Sequence, residues 1–201
     1  MNKDWEQLLN INTEGDDDGL SDLHHHRYEP TPYGVLERLL DSGYLNHAKY
    51  LIDIGCGKGR IPIFFAQTLG IPTIGIDFDE KLIRIAQTNR LQSKHATNIQ
   101  FIYGTAEDYT FTSEDAIYFF NPFSLKIFQK VLAHIINSYY ENQRLIRLFF
   151  YYMDDDMLAY MMMQNEFLFV DEIDCEDLYD HEDNHEHIMI FEIKLPQSHW
   201  L

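Results

Sequence analysis

A glycine-rich turn between a buried strand and a helix limits the possible folds of this chain more than any other feature. Residues 51–60 read LIDIGCGKGR, in which a short apolar strand pattern runs into three glycines at alternating positions. Glycine lets the backbone turn sharply and approach a ligand closely, and the following helix begins with unpaired N–H groups. Such a strand–turn–helix unit is typical of nucleotide-binding α/β domains, although phosphate-binding loops also use it.

The rest of the chain alternates strand and helix patterns. Apolar periodicity predicts strands over residues 50–54, 73–77, 99–103, 116–120 and 145–152, and helices over residues 61–69, 80–91, 124–139 and 157–163, after a first helix that starts at Thr31-Pro32 and closes near Gly43. Residues 167–173 and 187–193 form two closing strands with no helix between them. We therefore predict an α/β fold, a doubly wound seven-stranded mostly parallel sheet with a C-terminal antiparallel hairpin and helices on both faces.

Length and composition indicate one domain. The 201 residues are 45% hydrophobic, which suits a single globular unit over residues 28–201. Residues 1–27 are polar and predict a loosely held N-terminal arm, with a short helix near Trp5. The first residues lack the pattern of a secretory signal, and only two cysteines occur, so we expect a cytoplasmic protein without disulfides.

The charge balance narrows the choice of partners. The chain has 15 Lys and Arg residues against 33 Asp and Glu residues, a formal net charge of −18. Nucleic-acid binding rests on cationic side chains that neutralise phosphates, so the balance disfavours a nucleic acid and an anionic membrane surface. No apolar run approaches the roughly 20 residues that span a bilayer.

Two acidic residues at strand ends sharpen the interpretation of the turn. Asp53 lies two residues before the first glycine, and Asp77 ends the second strand. A carboxylate at the position of Asp53 would repel a pyrophosphate but suits a ligand with an ammonium and a sulfonium group. A carboxylate at the position of Asp77 can accept hydrogen bonds from both hydroxyls of a ribose. This pair favours S-adenosylmethionine (SAM) over NAD or ATP.

These residues resemble a known family. Residues 51–60, together with Asp77, resemble the nucleotide-binding half of the class I SAM-dependent methyltransferases, and the edge hairpin matches that family's inserted antiparallel strand. Residues 28–33 and 121–124 are similar to stretches of small bacterial members with no assigned substrate. The resemblance covers about residues 31–193, and it implies SAM as the cofactor and methyl transfer as the activity.

The resemblance also implies roles for individual residues. Those it assigns to the cofactor are Thr31 at the SAM carboxylate, Asp53 near its amino group, Gly55, Cys56 and Gly57 along its methionine part, and Asp77 and Phe78 at its ribose and adenine. Thr31 can equally be an ordinary helix cap. Family members commonly carry an Asp after the third strand, where this chain has Thr105, so the expected adenine contacts are Thr105, Ala106 and Glu107.

The candidate catalytic residues are Asn121 and Pro122, after the fourth strand. They resemble a partial Asn-Pro-Pro-Tyr motif of amino-methyltransferases, in which the Asn side chain and the Pro carbonyl accept hydrogen bonds from the target amino group. Here Phe123 replaces the second proline and Ser124 the aromatic residue. The alternative is a plain turn from strand to helix.

The acceptor follows less directly from the sequence. We expect methyl transfer to a nitrogen or oxygen atom of a small molecule or a protein side chain. A SAM-binding domain that regulates a partner without catalysis is one alternative, and adenine N-methylation of RNA or DNA is another. The histidine-rich residues 181–187 fall where the last hairpin turns, and we interpret them as a polar turn and predict no metal site.

Overall fold

The structure is a computed structural model that describes residues 4–15, 29–94, 96–120, 123–180 and 183–194. The helices are α1 (Trp5–Leu9), α2 (Tyr33–Asp41), α3 (Arg60–Leu69), α4 (Glu80–Gln92), α5 (Leu125–Glu141) and α6 (Asp155–Met163). The strands are β1 (Leu51–Ile54), β2 (Thr73–Asp77), β3 (Ile99–Tyr103), β4 (Ala116–Phe120), β5 (Arg147–Tyr151), β6 (Phe167–Asp174) and β7 (His187–Ile193). Short 3₁₀ helices cover Ala96–Asn98, Ala106–Asp108 and Glu176–Leu178.

The strands form one seven-stranded sheet in the order β3-β2-β1-β4-β5-β7-β6. The strands from β1 to β5 pair in parallel, and β7 is antiparallel to both β5 and β6. The predicted mostly parallel sheet with a C-terminal antiparallel hairpin is confirmed. Chain order reverses between β1 and β4, and ligands of open α/β sheets bind at such a switch point, beyond the carboxyl ends of the strands.

Helices cover both faces of the sheet. On one face α1 to α4 bury apolar side chains that include Leu36, Phe64 and Ala86. On the other face α5 and α6 bury Phe128 and Met161. Each helix presents one apolar stripe because its hydrophobic residues recur every three or four positions. Since both faces are covered, the central strands β1, β4 and β5 are buried along nearly their whole length, as expected for a parallel sheet.

The N-terminal residues depart from the prediction of a loosely held arm. Helix α1 forms where it was expected, but Leu9 and Ile11 are buried in the core beside α3. The Trp5 ring meets the Phe64 ring edge-on, with 4.7 Å between ring centroids. The expectation is therefore wrong for residues 4–15, because their apolar side chains have a partner surface on the domain. Residues 1–3 and 16–28 lie outside the described residues.

Several element boundaries also differ from the prediction by one or two residues, and two of these differences have a clear local cause. Strand β5 ends at Tyr151 because Tyr152 takes a left-handed backbone conformation, with φ of 55°. Helix α6 begins at Asp155, two residues early, because the Asp154 side chain accepts a hydrogen bond from the Met157 N–H at 2.9 Å. Within the described ranges, no helix is long and apolar enough to cross a membrane.

Candidate cofactor and active site

The glycine turn is tied closely to the end of β2. The N–H groups of Gly55 and Cys56 both donate to the Ile76 carbonyl, at 2.9 and 3.0 Å. Gly59 is the N-cap of α3 with φ of 87°, and a Cβ there would lie 2.4 Å from the Phe101 ring. A side chain at that position would therefore strain the backbone and clash with the core, which explains the third glycine.

Asp77 braces the turn from the end of β2. Its Oδ2 accepts a hydrogen bond from the Gly57 N–H at 2.8 Å, and its Oδ1 accepts one from the Asp79 N–H at 2.9 Å. The residue is 6% exposed. Phe78, directly after it, is half-buried. The structure thus holds the Asp77 carboxylate rigidly at the strand end where the ribose contact was predicted.

Asp53, at the end of β1, is the least satisfied polar side chain of the site. Its Oδ2 is enclosed and accepts no hydrogen bond from any described residue. Burial raises the pKa of this carboxyl well above its usual range, and the charge of Asp77 raises it further. Buried polar atoms in proteins nearly always have a partner, so an orphaned carboxylate oxygen indicates a group that the protein alone does not supply.

Asp53 faces a small pocket at the switch point between β1 and β4. The lining residues come from the segment before α2, the glycine turn, the start of α3 and the end of β4, and they are Glu29, Pro30, Thr31, Asp53, Gly55, Cys56, Arg60, Ile61 and Phe120. Burial raises the pKa of the Cys56 thiol well above its usual range, helped by the charges of Asp77 and Asp53. Cys56 therefore stays a neutral thiol and is not a nucleophile.

Thr31 lies in this pocket but does not cap a helix. Pro32 occupies the N-cap position of α2, so Thr31 precedes the cap by one residue. The Thr31 side chain is buried, and its hydroxyl lies 3.5 Å from the hydroxyl of Tyr118. Tyr118 is on β4 directly opposite Asp53, and burial raises the pKa of its phenol well above the usual range.

Arg60 is a pocket residue to which the sequence interpretation assigned no role. It is the first residue of α3 and is 7% exposed. Its Nη1 donates to the Thr31 carbonyl at 2.9 Å, and its Nε donates to the Thr13 hydroxyl at 2.7 Å. The feature of the sequence that could have indicated Arg60 as a pocket residue is its position immediately after the glycine turn. No sequence signal pairs Tyr118 with Asp53, because that contact depends on the register between β1 and β4.

The turn after β3 lies next to Asp77. The Gly104 N–H donates to the Asp77 carbonyl at 3.0 Å, which joins the ends of β2 and β3. The Thr105 hydroxyl donates to Asp108 at 2.6 Å, and Glu107 forms an ion pair with Lys130 at 2.6 Å. Ala106 is buried against the core. The three residues predicted at the adenine are therefore adjacent to the residue predicted at the ribose.

The ends of β4 and β5 form the other side of the site. The Phe120 and Tyr151 rings pack with centroids 4.9 Å apart. The Tyr151 hydroxyl bonds to the buried Glu186 and lies 2.6 Å from the Tyr179 hydroxyl. Burial raises the pKa of Tyr151, as does its hydrogen bond to Glu186, so the phenol stays neutral. Burial also raises the pKa of Tyr179, to about 12.

Two groups of residues from the sequence analysis lie wholly or partly outside the residues that the structure describes. Asn121 and Pro122, the candidate catalytic pair, lie outside the described residues. His181 and Glu182 of the histidine-rich run do as well, while His185 Nδ1 lies 3.1 Å from Asp183. Among the residues described, no group of three or more His, Cys, Asp or Glu side chains could hold a metal ion.

Comparisons with known proteins agree with this geometry. A family model described as a methyltransferase domain matches residues 45–179. A protein-lysine N-methyltransferase of Saccharolobus islandicus (strain REY15A) is 32% identical over 71 residues, which cover 35% of this chain and 44% of that protein. The match thus spans less than half of that relative's length.

Solved structures share the fold at low identity. An RNA methyltransferase from Salinibacter ruber, in complex with S-adenosyl-L-homocysteine, is 20% identical with a TM-score of 0.60, over 85% of this chain and 98% of that one. A TehB-like SAM-dependent methyltransferase from Corynebacterium glutamicum is 19% identical with a TM-score of 0.56, over 80% and 88%. The family match, the strand order and the glycine turn lead to one conclusion: this chain belongs to the methyltransferase domain family and has the class I SAM-dependent methyltransferase fold.

Proposed function

We propose that the chain transfers a methyl group from SAM to a nitrogen or oxygen atom of a small molecule or a protein side chain. The observation that carries this proposal is the Asp53 carboxylate, whose Oδ2 is enclosed beside the glycine turn without a hydrogen-bond partner among the described residues. A cation is the partner that such a buried carboxylate lacks. SAM offers an ammonium and a sulfonium, whereas a pyrophosphate at the same place would be repelled by Asp53 and Asp77.

The residues at the strand ends fit the parts of SAM in order. Asp53 would bind the ammonium group, and the backbone of residues 55–57 would line the methionine part. The rigid Asp77 carboxylate would hold the ribose, with Phe78 against the adenine. The turn at residues 105–107 would meet the adenine edge, because Gly104 bonds directly to Asp77. The first N–H groups of α3, which have no acceptor within the helix, would also face the methionine part of SAM.

Methyl transfer from a sulfonium needs alignment more than acid–base chemistry. SAM supplies a methyl group whose leaving sulfur becomes a neutral thioether. The protein must hold the acceptor atom in line with that methyl group, and such alignment is worth up to roughly 7–11 kcal/mol of the barrier. We assign Phe120, packed against Tyr151, to the wall that limits where the acceptor lies. The carboxylate of Glu29 lines the same pocket and can accept a proton from an amine acceptor.

The charge of the chain supports an amine as the acceptor. A formal net charge of −18 attracts cations and repels polyanions such as RNA. The relative from Saccharolobus islandicus is named as a protein-lysine N-methyltransferase, which is consistent with an amine in that part of the family. We therefore place amines of small molecules and lysine side chains ahead of oxygen acceptors, and nucleic-acid bases last.

Calorimetry with SAM tests the cofactor assignment. Wild-type protein should bind SAM, and Asp53→Asn should weaken binding by about tenfold or more, because the amide lacks the charge that meets the ammonium. Glu80→Gln is the matched control, since Glu80 is an exposed carboxylate whose ion pair is with Arg84 on the same helix. Wild-type affinity in Asp53→Asn would refute the role of Asp53.

The pH dependence gives an independent check. The pKa of Asp53 is raised in the free protein, and a bound cation favours the ionised form. Below that raised pKa, SAM binding should release a proton from Asp53, so affinity should rise as the pH rises. Measurements below about pH 6.7 keep the amino group of SAM protonated, since they lie at least roughly one unit below an α-amino pKa. Proton release, read from calorimetry in buffers of different ionisation enthalpy, should disappear in Asp53→Asn.

Transfer of a labelled methyl group to a panel of amines, lysine peptides and hydroxyl compounds tests the reaction itself. Label on an amine supports the proposal. SAM binding with no transfer to any acceptor class would favour a non-catalytic regulatory domain, and transfer to RNA or DNA adenine alone would overturn the assignment of an amine.

A further inference from the structure

The pocket that holds Asp53 also contains a buried guanidinium. We propose that Arg60 binds the carboxylate of the amino-acid end of SAM, and that residues 4–15 hold Arg60 in position as part of the cofactor site. The inference rests on the proposed function, and it adds a binding residue and a role for a segment that precedes the family match at residues 45–179.

The first step is that Arg60 and Asp53 share one pocket without pairing. Both line it, and each is more than nine-tenths buried. No hydrogen bond or ion pair joins them, and Asp53 Oδ2 has no partner among the described residues. A carboxyl and a guanidinium that line one pocket without bonding to each other can both contact the same ligand. The amino-acid end of SAM carries an ammonium for the first and a carboxylate for the second.

The second step is a count of the Arg60 donors. A guanidinium has five N–H bonds. Arg60 donates one from Nε to Thr13, one from Nη1 to the Thr31 carbonyl and one from Nη2 to Glu6. One N–H on each terminal nitrogen therefore has no partner in the described part of the chain. Two N–H groups on a planar fork suit the two oxygens of a carboxylate.

The third step is that Glu6 shares its carboxylate between Arg60 and other donors. The nearest contact between them is 3.3 Å, whereas Glu6 accepts shorter bonds from the Tyr33 hydroxyl at 2.6 Å and the Thr13 N–H at 2.8 Å. Tyr33 also carries the guanidinium over its ring, at 4.4 Å from the centroid. These contacts fix the plane of Arg60, which lines the pocket and keeps two N–H groups without a partner among the described residues.

The fourth step concerns the N-terminal segment. Residues 12–15 run across the glycine turn: the Lys58 ammonium donates to the carbonyls of Glu14 and Gly15, both at 2.9 Å. The Asn89 side chain bonds to both the N–H and the carbonyl of Asn12. The segment is therefore bonded to the turn, to α4 and to Arg60. Its removal would leave Arg60 without the Thr13 and Glu6 contacts that orient it.

The test compares SAM with decarboxylated SAM, which keeps the ammonium and the sulfonium and lacks the carboxylate. Wild-type protein should bind SAM about tenfold or more tightly than the decarboxylated compound. Arg60→Gln should lose that preference: affinity for SAM falls by about tenfold, and affinity for decarboxylated SAM changes by less than about twofold. Binding is measured by calorimetry, with the thermal midpoint as a check of folding.

Thr13→Val keeps the charge of Arg60 and removes the acceptor of its Nε–H, together with the hydrogen bond that the Thr13 hydroxyl donates to Glu6. It should reduce the preference for SAM over decarboxylated SAM by about threefold. This variant tests the inference if Arg60→Gln does not fold. Equal losses for both ligands in Arg60→Gln, or an unchanged preference in both variants, would overturn the inference. Wild-type protein that binds neither compound would instead refute the proposed function.

Discussion

The two halves of the sheet hold their polar side chains in different ways. In the cofactor half, from β1 to β3, Asp77 bonds to the backbone N–H groups of Gly57 and Asp79. In the acceptor half, from β4 to β7, Tyr151 bonds to the side chains of Tyr179 and Glu186. The first half therefore braces its polar side chain against the main chain, whereas the second half links side chains to one another.

This difference matters for specificity. A side chain held by the N–H groups of a turn accepts few changes around it, because the turn geometry fixes its position. A site made from side chains can change one residue at a time while the sheet stays intact. Such an arrangement suits a domain with one cofactor and many acceptors, and it implies that variants in the two halves should fail differently.

The largest expected effect is in the cofactor half, at Gly75 in β2. A Cβ there would lie 2.7 Å from Cys56 Sγ and 2.7 Å from the Phe101 ring, so Gly75→Ala must push the glycine turn away from β2. We expect a loss of about 3 kcal/mol or more in the free energy of unfolding, and a fall in the thermal midpoint of roughly 6–12 °C. Thermal and urea unfolding measure it.

Gly104→Ala is the control for that variant. No atom lies within 4 Å of a Cβ at Gly104, and its φ is not positive, so stability should change by less than about 0.5 kcal/mol. Comparable losses in both variants would mean that the tight packing of the turn against β2 is not what stabilises the cofactor half.

The same contrast explains what the sequence could predict. The alternation of strands and helices, the edge hairpin and the place of the glycine turn between β1 and α3 followed from local patterns, since apolar periodicity and glycine spacing report directly on backbone conformation. The contacts of Tyr151 with Tyr179 and Glu186 span 28 and 35 residues, and no local pattern encodes them. Arg60 was overlooked because its partners Glu6 and Thr13 belong to a segment that composition alone marks as a loose arm.

The second prediction concerns this side-chain network. Tyr151→Phe removes the donor to Glu186 and the partner of the Tyr179 hydroxyl, so we expect about 1–3 kcal/mol of destabilisation. SAM affinity should change by less than about twofold, because the network lies beyond Phe120 and away from the glycine turn. Turnover should fall more than affinity, which single-turnover methyl transfer measures.

A double-mutant cycle with Glu186→Gln sharpens the result. If the two side chains act as one unit, the double variant should lose less stability than the sum of the single losses, by about 0.5–3 kcal/mol. A tenfold loss of SAM affinity in Tyr151→Phe would contradict the division of the sheet into a cofactor half and an acceptor half.

The smallest expected effect is at the ion pair of Lys130 with Glu107, where α5 meets the turn after β3. The bond is short, at 2.6 Å, but the Lys130 side chain is 53% exposed, so solvent screens the attraction. Lys130→Gln should therefore cost no more than about 0.5 kcal/mol, as should Arg84→Gln at the exposed pair with Glu80. If Glu107 meets the adenine through its backbone, SAM affinity stays within about twofold of wild type in both variants. A selective loss of SAM affinity in Lys130→Gln would instead mean that the ion pair holds the Glu107 carboxylate in place for the cofactor. The adenine contact would then depend on a pair of side chains, whereas Asp77 in the same half is held by backbone N–H groups.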